Sequence, residues 1–360
     1  MIIMTDNSTY SAPADYQPVI GTANPHVKAL ADVFEIMFAG NGEAKRLAES
    51  RIPKNLSVDI GDKERGETKI VNARELVLSE GIAATPLVQL QYFNTVMEGA
   101  RLVQCARSAI RSERMTKGNT IRLPFQSTRA GRAPEVPEGA PFRNSNGTYT
   151  YRDFKVKKYG EVAPITDEMI SDGLYNTMAL EVGLLGEHCE NALNYEAIGA
   201  ILENSGKEYD TAGTSANQGI KAIASAKLEL QGAARSGGGF RPDTVIATTD
   251  FDTNLNKEFL LTNYHGGQTV VNGGTPPALG MRYFVTNTDT SSTTYTWGYI
   301  TDGYIGALVL NQMSAGAYVM RDDITVEDFK EPLQDLTTAK AKIRFAVNYG
   351  IANAACRIKY

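Results

Sequence analysis

The sequence predicts an α+β protein, and three stretches carry that reading. Two extended segments, residues 119–128 and 148–164, are joined by a long polar excursion and run straight into a helical pattern that begins at Thr166. Residues 207–325 mix short helical and strand patterns with glycine-rich breaks, as a compact α+β unit does. Residues 343–351 alternate strictly, with Ile343, Phe345, Val347, Tyr349 and Ile351 on one side and Arg344, Ala346 and Asn348 on the other. That is the pattern of a long, half-buried strand.

The first pair of segments reads as a hairpin. Ile121, Leu123 and Phe125 alternate with Arg122, Pro124 and Gln126. Phe154, Val156 and Val162 share one parity on the return, with Lys155, Lys157 and Tyr159 on the other. Period-two alternation sets one side of each strand on an apolar surface. Pro124 has no N–H to donate, so its strand is an edge there. The connection over 129–147 holds Pro134, Pro137 and Pro141. A loop of that length with no core of its own is usually functional or disordered. A two-stranded ribbon alone is marginal in water, so another surface is expected to cover it. The plainer alternative is an ordinary surface hairpin on a larger sheet.

The helix has a legible start. Thr166 can cap it, and Asp167 and Glu168 suit the positive end of its dipole. Leu174, Met178, Val182, Leu185, Cys189, Ala192, Tyr195, Gly199 and Leu202 form one apolar stripe at three- and four-residue steps. Asn176, Glu187, Glu190 and Asn194 fall largely away from it. A stop at 204–206 gives a helix of roughly 55 Å.

Before the hairpin, residues 1–24 read as a polar extended arm and 25–39 as a short amphipathic helix carrying Leu30, Val33, Phe34, Met37 and Phe38. Residues 51–67 are charged and turn-rich, and 68–78 form a candidate strand. Residues 85–111 are mainly helical, with Leu87, Leu90, Phe93, Val96 and Met97 on an apolar face that Leu102 and Val103 continue. Arg101, Arg107, Arg111, Arg114 and Lys117 make the most basic run, read as a solvated face paired locally, with a contact to nucleic acid or acidic neighbours as the alternative. After the long helix, helical patterns cover 220–230 and 250–261. Strand patterns cover 244–248, 283–286, 294–300, 307–310 and 317–320. Residues 263–280 form an irregular loop, and 354–358 continue the closing strand.

Composition narrows the function. A net charge of -5 argues against a dedicated nucleic-acid binder. Cys105, Cys189 and Cys356 are too few and too scattered for a disulfide framework, so buried thiols in a reducing cytoplasm are expected. The first residues lack the basic and apolar regions of a signal peptide, and no apolar run is long enough to cross a bilayer. No phosphate loop is present, because Gly237-Gly238-Gly239 precedes a strand rather than opening a helix. Among His26, His188 and His265, only His188 sits beside other ligand types, in Glu187-His188-Cys189-Glu190. Neighbours on a helix point about 100° apart, so these do not converge on a metal. Gln312-Met313-Ser314-Ala315-Gly316 does not match a nucleophile elbow. No catalytic, cofactor-binding or metal-ligating residue is expected.

Four stretches resemble the HK97-fold major capsid proteins of tailed viruses. Glu135-Val136-Pro137-Glu138-Gly139-Ala140-Pro141-Phe142 resembles the acidic, glycine-bearing segment near the tip of that family's extended loop. Lys157-Lys158-Tyr159-Gly160-Glu161-Val162-Ala163-Pro164-Ile165-Thr166-Asp167-Glu168-Met169-Ile170 is similar to the stretch where the loop enters the spine helix. Arg241-Pro242-Asp243-Thr244-Val245-Ile246-Ala247 resembles the central strand of the inserted axial domain, and the 343–351 strand the long strand of the peripheral domain. The resemblance spans residues 85–360.

It implies an HK97-like fold with the start of a peripheral domain over 85–118, an extended loop over 119–164 and a spine helix over 165–206; residues 1–84, outside the resemblance, read as an elongated arm. An axial domain over 207–325 and a closing peripheral strand over 326–360 complete the fold. It implies a non-enzymatic shell subunit without a cofactor, assembled in the host cytoplasm into the virion capsid. Its partners would be copies of itself in pentamers and hexamers, double-stranded DNA held by non-specific contact, and portal, scaffold or decoration proteins; no membrane is involved. Contacts between subunits would fall on Arg129, Arg132, Glu135, Glu138, Phe142 and Arg143. The lysine–asparagine cross-link of some members is not carried over, because arginines rather than a lysine occupy the loop tip. Two rival readings are an encapsulin-like compartment shell, and an enzyme using Glu135, Glu138 or His265 in a cleft.

Overall fold

The computed structural model describes residues 25–38, 46–47, 50–51, 57–59, 70–72, 85–127, 135–138, 148–166, 168–169, 172, 174–211, 219–232, 239–266, 280–298, 304–331 and 336–359. In chain order these form α1 (Pro25–Phe38), β1 (Ser57–Asp59), β2 (Ile70–Asn72), α2 (Thr85–Leu102), α3 (Ala106–Ala109) and β3 (Arg111–Arg114). Then come β4 (Thr120–Gln126), β5 (Tyr149–Lys155), β6 (Lys157–Thr166) and the long helix α4 (Tyr175–Glu203). The remainder is β7 (Lys207–Asp210), α5 (Gly219–Gly232), β8 (Thr244–Ala247), α6 (Thr249–Gly266), β9 (Arg282–Val285), β10 (Ile305–Leu310), β11 (Gly316–Glu331), β12 (Leu336–Tyr349) and β13 (Ala355–Lys359). Among the described residues two sheets are larger than ribbons, ordered β7-β13-β10-β8-β9 and β3-β11-β12-β6.

The chain divides into two units. One holds residues 1–102, 160–189 and 324–343. Here α1 buries Leu30, Val33, Phe34 and Ile36, and Phe34 meets Tyr92 of α2 with ring centroids 5.6 Å apart. Arg51 returns to α1 through Asp32, at 2.8 Å, and Glu35. Strand β2 falls in the expected strand region, but its partner β1 forms in the stretch read as turns. The buried side of α2 carries Tyr92, Thr95, Val96 and Ala100, while Phe93 is exposed and Leu102 is 72% exposed. The expected apolar face is therefore rotated. Glycines set that rotation: a Cβ on Gly99 would fall on the Gly183 carbonyl, and one on Gly186 on the Val96 carbonyl. The two helices meet backbone to backbone.

The other unit holds residues 103–159, 190–323 and 344–360. Its core is the five-stranded sheet. Every residue of β8 and β10 is buried, as fits the strands flanked on both sides. Helices α5 and α6 pack Ile223, Leu230, Phe251 and Leu255 onto Val245, Val309 and Ile358.

Several expectations change. The long helix starts at Tyr175, not at Thr166. Thr166 does cap a turn, its Oγ1 accepting the Met169 N–H at 3.2 Å, and the sequence Ser-Asp-Gly at 171–173 is a run of poor helix formers. The helix is thus about 44 Å long. Ala317–Met320 pairs in parallel with β3, outside the five-stranded sheet. The last strand, expected to extend β12, instead turns through Ala352–Ala354 and pairs with β10 and β7. Residues 294–298 make one isolated bridge, Trp297 to Ile305, rather than a strand.

Candidate assembly interface

The hairpin forms as a two-stranded antiparallel ribbon, with Ile121 opposite Phe154, Leu123 opposite Arg152 and Pro124 opposite Tyr151. Its apolar underside behaves as the alternation requires. Leu123, Phe125 and Phe154 join Met115, Ala317, Val319 and Ala346 in one buried cluster, with Ile121 and Val156 against it. The Phe125 and Phe154 rings stack at 6.3 Å, and the Arg111 guanidinium lies 5.6 Å from the Phe125 centroid. Phe125 fits against Gly350, where an added Cβ would strike its ring. Arg152 lies over the Tyr349 ring at 4.0 Å and donates to the Gly350 carbonyl at 3.2 Å. Asn348 donates to the Asp153 carbonyl at 2.9 Å.

The upper face is different. Arg122 and Asp153 pair across the strands at 2.7 Å in full view of solvent. The hydrogen bond to Arg122 holds the Asp153 carboxyl below its usual range. Tyr149 and Tyr151 are 54% and 60% exposed. Of the six contact residues expected at the tip, Glu135 and Glu138 are exposed. Arg129, Arg132, Phe142 and Arg143 lie outside the described residues.

Past Val156 the parity changes. Val162, expected on the apolar side, is 42% exposed, and Ala163 and Ile165 are buried instead. Residues 155–157 pass from the ribbon's pairing to that of the four-stranded sheet, which turns odd positions inward. Tyr159 stacks on Phe345 at 4.6 Å and donates to Glu196 at 2.7 Å, and Lys157 lies 3.4 Å from the same carboxylate. Burial, then the Glu196 contact, drives the Tyr159 hydroxyl well above its ordinary pKa. Glu161 meets His188 Nδ1 at 2.5 Å.

Sequence reasoning missed a buried ionic cluster. Arg107 binds Glu190 with Nε at 2.8 Å and Asp323 with Nη2 at 2.8 Å. Glu190 is 1% exposed, although it was expected off the apolar stripe. Burial lifts its carboxyl above the usual range against the pull of Arg107. Asn194, also buried, accepts the Ala106 N–H at 2.9 Å and donates to the Val103 carbonyl at 2.8 Å. The one available signal was the arginine run: its expected local pairing holds at Arg111 with Glu113, whereas Arg107 is largely buried and pairs with residues distant in sequence.

Among the described residues no three His, Cys, Asp or Glu side chains are placed to hold a metal. Cys105, Cys189 and Cys356 are buried and joined in no disulfide, and burial pushes the Cys105 and Cys356 thiols up to about 12. His188 is exposed where Cys189 is buried, so they point apart. No described helix is long and apolar enough to cross a membrane.

Comparison with known proteins follows the same line. Residues 150–359 match the family described as phage capsid protein. No curated protein matches the chain. A structure from Mycobacterium phage Ogopogo is similar at 16% identity and a TM-score of 0.50, covering 71% of this chain and 92% of that one. A capsid structure of the cyanophage P-SCSP1u is similar at 12% identity and a TM-score of 0.49, covering 69% and 86%. A virus-like particle from Pyrococcus furiosus is similar at 13% identity and a TM-score of 0.48, covering 74% and 98%. The family match takes in more than half of the 360 residues, and the chain belongs to the phage capsid protein family, as a structural subunit of the virion shell and not an enzyme.

Proposed function

We propose that copies of this chain assemble in the host cytoplasm, through pentamers and hexamers, into a closed shell around double-stranded DNA. The ribbon β4–β5 carries the reading. It is held on one face, while its outer edges are unpaired among the described residues and its upper face presents Tyr149 and Tyr151. Unpaired edges and exposed aromatic rings are surfaces that a neighbour covers. The loop tip, with Arg129, Arg132, Glu135, Glu138, Phe142 and Arg143, reaches that neighbour in this reading.

The remaining roles follow the same plan. Residues 1–84 serve as an arm, 119–164 as the extended loop and 165–206 as the spine. The segments 85–118 and 326–360 form the peripheral domain and 207–325 the axial domain. A net charge of -5 suits a wall that encloses DNA by weak, non-specific contact. Portal, scaffold or decoration proteins would meet the assembled shell. Deleting residues 129–147 tests the loop's role. The subunit is expected to keep its thermal unfolding transition and lose its shells in electron microscopy; normal shells from this variant would refute the role.

A further inference from the structure

Residues 286–297 connect β9 to the bridge at Trp297, and both ends are buried, at Thr286 and Trp297. The ten residues between are exposed or half-buried and are almost all polar. They nonetheless follow α4 at four-residue steps. Thr288 donates its hydroxyl to Asn191 at 2.9 Å. The Ser291 N–H donates to the Tyr195 carbonyl at 3.1 Å. Ser291 then fills the space over Gly199, so closely that a Cβ there would collide with its backbone and hydroxyl. Ser292 and Thr294 both donate to Glu203, the latter at 2.5 Å through its hydroxyl. These hydroxyl bonds hold the Glu203 carboxyl below its usual range. Tyr295 ends the run under the Arg357 guanidinium, at 3.9 Å, and Arg357 also donates to the Ser205 carbonyl beyond the helix end at 2.9 Å.

Residues at i, i+4, i+8 and i+12 lie along one helix face, so Asn191, Tyr195, Gly199 and Glu203 make a single track. A segment held there by hydrogen bonds, with little apolar burial, can detach at low cost, since local opening follows the apolar contact that is lost.

We propose that residues 288–294 are a polar latch on α4, seated in a notch that Gly199 provides, which opens without unfolding the five-stranded sheet. When closed it lines the last turns of α4 and leads into Tyr295 beneath Arg357 of β13. When open it exposes the track on α4, while the Arg357–Ser205 bond at the helix end and the core stay in place.

Hydrogen–deuterium exchange of the full-length chain tests this, comparing peptides that cover 287–296 with peptides that cover β10. In the unmodified chain the latch peptide is expected to exchange independently of β10. Gly199→Ala blocks the notch, and exchange of the latch peptide should rise roughly ten-fold while β10 keeps its protection. Alanine also favours the helix over glycine, so the peptide over 196–203 should not lose protection with it. An unchanged latch peptide, or a parallel rise in β10, would overturn the proposal. Thr288→Val with Thr294→Val removes two ties without adding bulk. It should give the same selective rise if Gly199→Ala does not fold, and its failure to do so would be equally decisive.

Discussion

Glu190 holds a carboxylate where almost no water reaches it, with Arg107 on one side and the Arg107–Asp323 pair beyond. Burial raises its folded pKa above the value of about 4.3 for an unfolded glutamate. Between those two values the native chain binds the proton more tightly, so this group adds stability as pH falls through its folded pKa and withdraws it as pH rises. Urea unfolding at several pH values checks the sign. The unmodified chain should gain on Glu190→Gln between pH 7 and about pH 4.5; a loss over that window would mean that Arg107 outweighs burial. None of this was legible in the sequence. A polar residue at the flank of an apolar stripe reads as solvated, and Arg107 is 83 positions away. Glycine positions, by contrast, are checkable one at a time. Gly186→Ala should cost about 1–3 kcal/mol by forcing α4 from Val96, whereas Gly232→Ala meets open space and should add about 0.5 kcal/mol. Calorimetric unfolding separates the two, and equal effects would remove the tight helix contact from the account.

At the scale of elements, periodicity was the reliable signal. It located α1, α5, α6, both ribbon strands and the buried β8 and β10, because each presents one apolar face or is apolar throughout. It failed where an element changes partners. One strand run across 148–164 could not reveal that β5 pairs with β4 and β6 with another sheet, which inverts the facing of Val162. Nor could alternation near the end of the chain assign β13 to a sheet, since pairing between distant segments leaves no local mark. The first half of α4 was read correctly, with Met178, Val182, Leu185 and Cys189 all buried, whereas beyond it Tyr195, expected on the stripe, is exposed and Asn194, expected off it, is buried. Leu185→Asp therefore places an uncompensated charge in that core and should leave the chain insoluble or unfolded, a cost of several kcal/mol. Soluble expression with an unchanged melting temperature would mean that this face is not buried.

For the whole molecule, order along the chain was more informative than any motif. A ribbon, a long helix, an α/β unit and a closing strand pointed to a capsid protein before any single residue did, and the family match over residues 150–359 agrees. The loop tip remained opaque because its prolines, glycines and charged residues follow neither the helical nor the strand period. A shell subunit repeats the same contacts between copies until they close. The most direct measurement is electron microscopy of the purified full-length chain after size exclusion, across a range of concentrations. Closed particles, or rings of five and six subunits, are the expected result. Monomers or small discrete oligomers at every concentration would contradict self-assembly through the ribbon.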